Sequence, residues 1–312
     1  MSMDYRECAE FLRTHDNFII ITHLRPDGDT LGSAAALCSA LRRIGKCAAM
    51  FPNPEITPKY IGYVEKYIEK DFTPECVVAV DVADEHMYCG GFEGMVELAI
   101  DHHPSNSHYA DNLLLHDEKA SCGESILEVI KELCGGLTPE EATLLYIAVS
   151  TDCGCFRYAN VTHETFAAAS ELARYGADIQ GINFKIHRQM SKARMLLEGL
   201  ICAGLRFYHD GKLVVAEVTL DMMEKAGATE NDCDDIAGIP GKVEGCEVSM
   251  VIRELEPGKC KVSVRSHPGF DSCALCMKFG GGGHKMASGC TIYASPDEVR
   301  EMLVKAVDEI WA

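Results

Sequence analysis

Between residues 17 and 152 the chain alternates short runs of consecutive apolar residues with longer stretches whose apolar positions recur at helical spacing. The runs at 18–22, 47–51, 76–80 and 96–100 are continuous rather than alternating, which suits strands buried on both faces of a parallel sheet. Residues 31–44 carry helical spacing between the first two. Two later helix starts bear a capping signature, Ser121 with Glu124 and Thr138 followed by Pro139 and Glu141. There the hydroxyl and the carboxylate satisfy N–H groups that a first helical turn leaves open. A further helix is predicted over 162–176, ended by Gly176. The alternation predicts an α/β domain on a doubly wound parallel sheet.

The character changes over 186–202, a polar helical stretch containing His187, Arg188, Ser191, Lys192 and Arg194, which reads as a connector. Beyond it Asp210-Gly211 separates two alternating strands, and Glu256-Pro257-Gly258-Lys259 separates two more, so hairpins dominate. A closing helix starts at Ser295 with Pro296 and Glu298. The expected division is an N-terminal domain over 1–185, a helical linker over 186–202, and a smaller C-terminal α+β domain with a mixed sheet over 203–312. The length of 312 residues agrees, because typical domains hold roughly 100 to 200.

Composition narrows the function. With 47% hydrophobic and 25% charged residues, the chain has the makeup of an ordinary globular protein. Its 29 Lys and Arg against 48 Asp and Glu give a net charge of -19, which repels a phosphate backbone and argues against a duplex-DNA binder relying on counterion release. A short anionic substrate then requires metal ions to supply positive charge. No run approaches the ~20 apolar residues of a membrane span, and the first residues include acids, so a cytoplasmic protein without a membrane partner is expected. The sixteen cysteines are scattered through apolar segments and are expected to be reduced, buried hydrophobes. Cys153 and Cys155 have the wrong gap for a zinc pair, and Cys273 and Cys276 lie in an apolar helical pattern, so neither is expected to hold zinc.

Candidate chemistry gathers where an open parallel sheet places its ligands, immediately after the strands. The first strand is followed by His23-Leu24-Arg25-Pro26-Asp27-Gly28-Asp29, the third by Asp81, and the fourth by Asp101-His102-His103; Asp152 ends a capped helix. A lone aspartate at a strand end is usually a turn former or a cap. Carboxylates and imidazoles converging from separate loops are costly unless a cation neutralises them. Mixed imidazole and carboxylate ligation favours manganese, magnesium, iron or zinc, and the donors suffice for two ions, the arrangement that hydrolyses phosphoesters. The run Gly280-Gly281-Gly282-Gly283 before His284 lets backbone amides approach an anion, and no Gly-Lys-Ser/Thr ending supports ATP chemistry.

The set His23-x-x-x-Asp27-x-Asp29 with Asp101-His102-His103 resembles the DHH phosphoesterase superfamily, and Asp81 and Asp152 complete that family's pattern. Val264-Arg265-Ser266 and the segment from Gly280 through Gly289 resemble the DHH-associated substrate domain, so the likeness spans nearly the whole chain. It is greatest to the oligoribonuclease (nanoRNase) and pAp phosphatase branch. The resemblance implies two divalent metal ions, manganese first, with magnesium or another transition metal as alternatives. It assigns His23 and Asp27 to one ion, Asp29, His102 and Asp152 to the other, and Asp81 as the bridge. His103 is implied to face substrate as a catalytic imidazole, with Asp101 orienting a ligand histidine. Arg265, Ser266, Gly281, Gly282, Gly283 and His284 are implied to bind substrate, in a cleft that a hinge near 186–202 closes. Three residues depart from the family's habit: Cys153 stands in place of a common threonine, Cys155 follows, and Ser288 replaces a frequent alanine.

The implied function is hydrolysis of short oligoribonucleotides to mononucleotides, of the 3'-phosphate of pAp, or of both. Short single-stranded RNA or small nucleotides would be the partners. A homodimer is the expected assembly because two-fold dimers are the commonest. RecJ-type exonucleases are expected to be larger than this chain. Alternatives are a cyclic- or linear-dinucleotide phosphodiesterase, an exopolyphosphatase or pyrophosphatase, and a non-catalytic nucleotide-binding regulator. The full set of ligand positions speaks against the last.

Overall fold

The computed structural model describes residues 2–68, 73–233 and 235–311, and the chain forms two compact units, 1–189 and 190–312. The first contains α1 (Tyr5–Thr14), β1 (Phe18–Ile21), α2 (Gly28–Arg43), β2 (Ala48–Met50), α3 (Pro58–Val64), β3 (Cys76–Val80), β4 (Leu98–Asp101), β5 (Asn112–Leu115), α4 (Cys122–Cys134), α5 (Pro139–Asp152), α6 (His163–Arg174) and α7 (Ile179–Ile182). A π-helical turn over Asn183–Arg188 follows. The five strands are all parallel, in the order β2-β1-β3-β4-β5. The winding therefore reverses between β1 and β3, and the carboxyl ends of strands at such a switch point are where open sheets bind ligands.

Both faces of the sheet are covered, which explains the unbroken apolar runs. Phe18, Ile20, Val78, Val80, Leu98 and Ile100 pack against Leu37 and Leu41 of α2, Ile126 of α4 and Leu145 of α5. Ile21, Ala79, Ala99 and Leu113 point the other way, against Val82 and Val96 and the rings of Phe51, Tyr88, Phe92 and Tyr109. The helices start where the capping chemistry predicts: Ser121 accepts from the Glu124 N–H at 3.3 Å, and Thr138 and Glu141 form a reciprocal box. Buried Glu141 is also paired with Arg43 at 2.9 Å, tying α5 to α2.

That tie serves the site, because α2 and α5 each carry a candidate ligand and must approach closely. A Cβ at Gly32 would lie 2.3 Å from the Leu144 carbonyl, and one at Gly28 would lie 2.4 Å from the Thr151 hydroxyl. Helix propensity favours Ala over Gly by about 0.8–1 kcal/mol, but overpacking against backbone costs about 1–3 kcal/mol. Gly32→Ala is therefore expected to lower stability by a net of up to ~2 kcal/mol, read as a reduced urea midpoint. An unchanged midpoint would mean the helices separate freely.

The second unit contains α8 (Lys192–Ala203), β6 (Arg206–Tyr208), β7 (Leu213–Val218), α9 (Leu220–Ala226), β8 (Val248–Glu256), β9 (Lys259–Ser266), α10 (Ser272–Met277), β10 (Gly282–His284), β11 (Ala287–Ile292) and α11 (Pro296–Trp311). Its six strands run in the order β10-β11-β9-β8-β7-β6, antiparallel except for the parallel β7–β8 pair, so the sheet is mixed. One face packs α10 and α11 and the other α8 and α9. The sixteen cysteines are free thiols. Among the described residues no helix is long and apolar enough to cross a membrane.

Candidate metal centre

The segments following three strands at the carboxyl end of the first unit's sheet, with the last residue of α5, bring seven ionisable side chains together. After β1, Asn53 fixes the chain by donating to the Thr22 hydroxyl (3.1 Å) and the His23 carbonyl (2.9 Å). Asp27 caps α2, accepting from the N–H groups of Asp29 and Thr30 with Oδ1. Asp29, fully buried in the first turn, accepts from the N–H groups of Cys122 (2.7 Å) and Gly123 (2.9 Å) at the start of α4 and from the Ser33 hydroxyl. A helix N-terminus is a favourable seat for an anion, so this carboxylate is held before any metal arrives. Asp81 leaves β3 with φ of +60°, a strained conformation for a non-glycine residue, and directs its carboxylate toward both histidine loops.

The contacts form overlapping groups that share Asp81 and His102. His23 Nε2 lies 3.7 Å from Asp27 Oδ1 and 3.8 Å from Asp81 Oδ2. His102 Nε2 lies 3.7 Å from Asp29 Oδ2, 3.4 Å from Asp81 Oδ1 and 3.5 Å from Asp152 Oδ2. The donors of His23, Asp27 and Asp81, those of Asp29, His102 and Asp152, and those of Asp81, His102 and His103 each fall within 4.8 Å of one another. Asp81 Oδ1 and His102 Nε2 are buried without a hydrogen-bond partner. Orphaned buried acceptors beside several carboxylates fit a divalent cation, which would use the lone pairs and cancel the charge.

Electrostatics agree. Burial, with repulsion from Asp152 and Asp27, pushes Asp29 up to about 7. Burial, then Asp29 and Asp27, hold Asp81 well above the ordinary carboxylate range, and burial also raises Asp152. A site that protonates its acids when empty is built for a positive charge.

The two adjacent histidines have different supports. His102 Nδ1 donates to the Lys119 carbonyl at 3.2 Å, which leaves Nε2 as the lone pair facing three carboxylates. His103 Nδ1 donates to Asp101 Oδ1 at 2.8 Å, so although this nitrogen lies 3.6 Å from Asp81 it is occupied, and Nε2 is the free atom. The Asp101 bond raises the His103 pKa. Asp101, fully buried, also accepts from the His102 N–H and from Asn106. The Asp101 side chain thus holds His103, and a backbone carbonyl holds the His102 ring. Asn53, Asn106 and Lys119 escaped sequence reasoning because their contribution is a hydrogen bond across loops, with no local pattern to mark it.

In the second unit, cross-strand pairing sets His284, Ala287, Arg265 and Ser249 in one row across β10, β11, β9 and β8, and paired residues share a face of the sheet. His284 and Arg265 are exposed. A cavity of about 550 Å³ adjoins this row, lined by residues including Phe270, His284, Lys285 and Met286. The Ser266 hydroxyl is committed to the Phe270 carbonyl and accepts from Ser272. The glycine run is partly built into the sheet. Gly282 and Gly283 lie in β10, the Gly281 N–H donates to Cys276, and a Cβ at Gly281 would sit 2.2 Å from the Gly289 carbonyl. Close strand packing demands glycine there.

Residues 17–149 match the DHH family, N-terminal domain, and residues 210–312 match the DHHA1 domain. The chain belongs to the DHH family, as its similarity to a full-length relative also establishes. It is 34% identical to the bifunctional oligoribonuclease and PAP phosphatase NrnA of Thermus thermophilus, over 97% of this chain and 93% of that protein. It is 28% identical to the protein of the same name from Bacillus subtilis, over 95% and 96%. The fold matches an exopolyphosphatase-related protein from Bacteroides fragilis with a TM-score of 0.86 at 22% identity, covering 98% of this chain and 95% of that one. A RecJ exonuclease bound to manganese matches at a TM-score of 0.53 and 14% identity, over 99% and 94%.

Proposed function

We propose that this protein hydrolyses short single-stranded oligoribonucleotides to mononucleotides and removes the 3'-phosphate of pAp. The observation that carries the reading is the set of overlapping His/Asp groups that share Asp81 and His102, with two orphaned acceptors among them. Full-length similarity to relatives named oligoribonuclease and PAP phosphatase supports this substrate class over pyrophosphate or cyclic dinucleotides.

His23 and Asp27 would hold one divalent ion, Asp29, His102 and Asp152 the other, and Asp81 both. Manganese is the first candidate, as in the RecJ relative, and the acidic chain requires such charge near a phosphate. Bound divalent ions would acidify water and offset charge on the phosphoryl oxygens. The protein's own groups do the rest. The Asp101 bond fixes the His103 tautomer, so that Nε2 faces substrate, where it steadies the phosphoryl group and gives a proton to the leaving oxygen. Arg265 offers a planar fork to a substrate phosphate, with His284 in the same row. Gly282 and Gly283 flank that row; Ser266 and Gly281, engaged internally, shape it.

The test is product release, with manganese, from ribo-oligonucleotides two to five long, pAp, cyclic di-AMP and pyrophosphate, with chelated protein as control. Mononucleotides from the oligomers and AMP from pAp, both lost on chelation, are expected. Tight nucleotide binding with no turnover of any substrate would overturn the reading in favour of a regulator.

A further inference from the structure

The chain leaving Asp152 does something that the metal centre does not explain. Gly154, Cys155 and Phe156 adopt φ of +56°, +55° and +63°, three consecutive left-handed residues of which two carry side chains. Such strain persists only where its surroundings enforce it, and it clusters at functional sites. Here the turn doubles the chain back. The N–H groups of Arg157 and Tyr158 both donate to the Cys153 carbonyl, and the Asn160 side chain donates to the carbonyls of Asp152 (3.3 Å) and Ala120 (3.1 Å). Tyr158 is thus held close to Asp152. Its ring lies on Gly154, where a Cβ would come within 2.4 Å of it, yet Tyr158 is 57% exposed.

The surroundings are basic in a chain of net charge -19. Arg157, Lys185 and Arg188 are exposed. Half-buried His187, bonded to Ser150 on α5 at 3.0 Å, is held down to about 4 by burial, and the two charges acting on it, Lys59 and Arg157, are both positive. The ring of Phe184, 55% exposed, belongs to the same π-helical turn as His187. Cys155 Sγ, 3.9 Å from Asn183 Oδ1, links that turn to the strained loop. Fixed exposed aromatic rings among cations are the equipment with which proteins grip single-stranded nucleic acid, rings for the bases and cations for the phosphates.

We propose that Arg157 and Tyr158, with Phe184, Lys185 and Arg188 beside them, seat the nucleotides adjoining the scissile phosphodiester of a short single-stranded oligonucleotide. This rests on the phosphoesterase reading above and adds a determinant of substrate length to it. Tyr158 stacks a base and the cations track the backbone, so the gain in binding grows from dimer to tetramer. A substrate with a single nucleoside, such as pAp, does not reach this surface.

The experiment compares kcat and KM for pAp, a ribodinucleotide and a ribotetranucleotide in the wild type and in Tyr158→Ala, Tyr158→Phe and Arg157→Gln. Anisotropy of a labelled tetranucleotide on the chelated proteins is measured in parallel. Tyr158→Ala is expected to raise the tetranucleotide KM roughly tenfold with kcat within twofold, consistent with the usual worth of one base stack. Tyr158→Phe should restore it. Arg157→Gln should reduce the slope of log affinity against log salt by about 0.7. Equal KM rises for pAp and tetranucleotide, or none for either, would overturn the proposal, as would Tyr158→Ala converting a dimer to a monomer. If no substrate is hydrolysed the phosphoesterase reading fails, and the anisotropy still decides on the surface: wild-type affinity in Tyr158→Ala refutes it.

Discussion

Asp81→Asn is expected to lower kcat on oligoribonucleotides by roughly a thousandfold or more, the scale of losing several kcal/mol of transition-state charge stabilisation. Asp81 is the carboxylate between the two metal-facing histidines, with Oδ2 toward His23 and Oδ1 toward His102. The amide keeps the shape, removes the charge and turns an N–H₂ toward one side, so neither ion would retain its anionic bridge. Collapse of the fold is the competing explanation for a dead variant, and the structure separates the two. In the metal-free protein Asp81 is a buried acid with an unpartnered oxygen, crowded by Asp29 and Asp27. Removing such a charge relieves repulsion. The chelated variant should therefore melt no lower than chelated wild type while binding manganese at least tenfold more weakly. Activity within tenfold of wild type would refute Asp81 as the shared ligand.

What the sequence made legible follows from where the information is local. Strands β1, β3 and β4 are continuous apolar runs followed at once by ionisable residues, so both the element and the candidate ligand could be read together. Strand β5 was missed because Asn112–Leu115 is four residues long, begins with a polar residue, and owes its state to pairing with β4. Helix α1 was also passed over, although Asp4 and Glu7 form a capping box that could have found it. At the site, residue types were readable and hydrogen bonds were not. Nothing in Asp101-His102-His103 says that the first residue holds the third while Lys119, seventeen positions after His102, holds the second. In the glycine run, what the pattern alone does not show is that Gly281 is also required by strand packing.

Stripped of metal, the protein should lose stability as pH rises from about 5 to 7.5, the reverse of ordinary carboxylate behaviour. Asp29 titrates near 7 in the folded chain, with Asp81 and Asp152 also raised, whereas unfolded aspartates titrate near 3.9. Between those values the folded state binds more protons than the unfolded state, so the slope of unfolding free energy against pH is negative. The stability present at pH 4 to 5 is lost as pH climbs through the folded value. Two groups have the opposite sign. Asp101, lowered despite its burial by the His103 and Asn106 hydrogen bonds, loses its contribution only below about pH 4, outside this window. His187, held down to about 4, offsets part of the fall up to its unfolded value near 6.5, so the steepest loss is expected from about pH 6.5 to 7.5. Three pKa units correspond to roughly 4 kcal/mol, an upper bound for Asp29 because the acids are coupled, and a fall in Tm of about 5–10 °C is expected. Adding manganese should abolish the fall, since the ion competes with those protons and adds about 2.7 kcal/mol at a hundredfold excess over Kd. Asp81→Asn should flatten the chelated profile. A chelated Tm that rises over this range and does not respond to manganese would remove the physical basis for a cation site here.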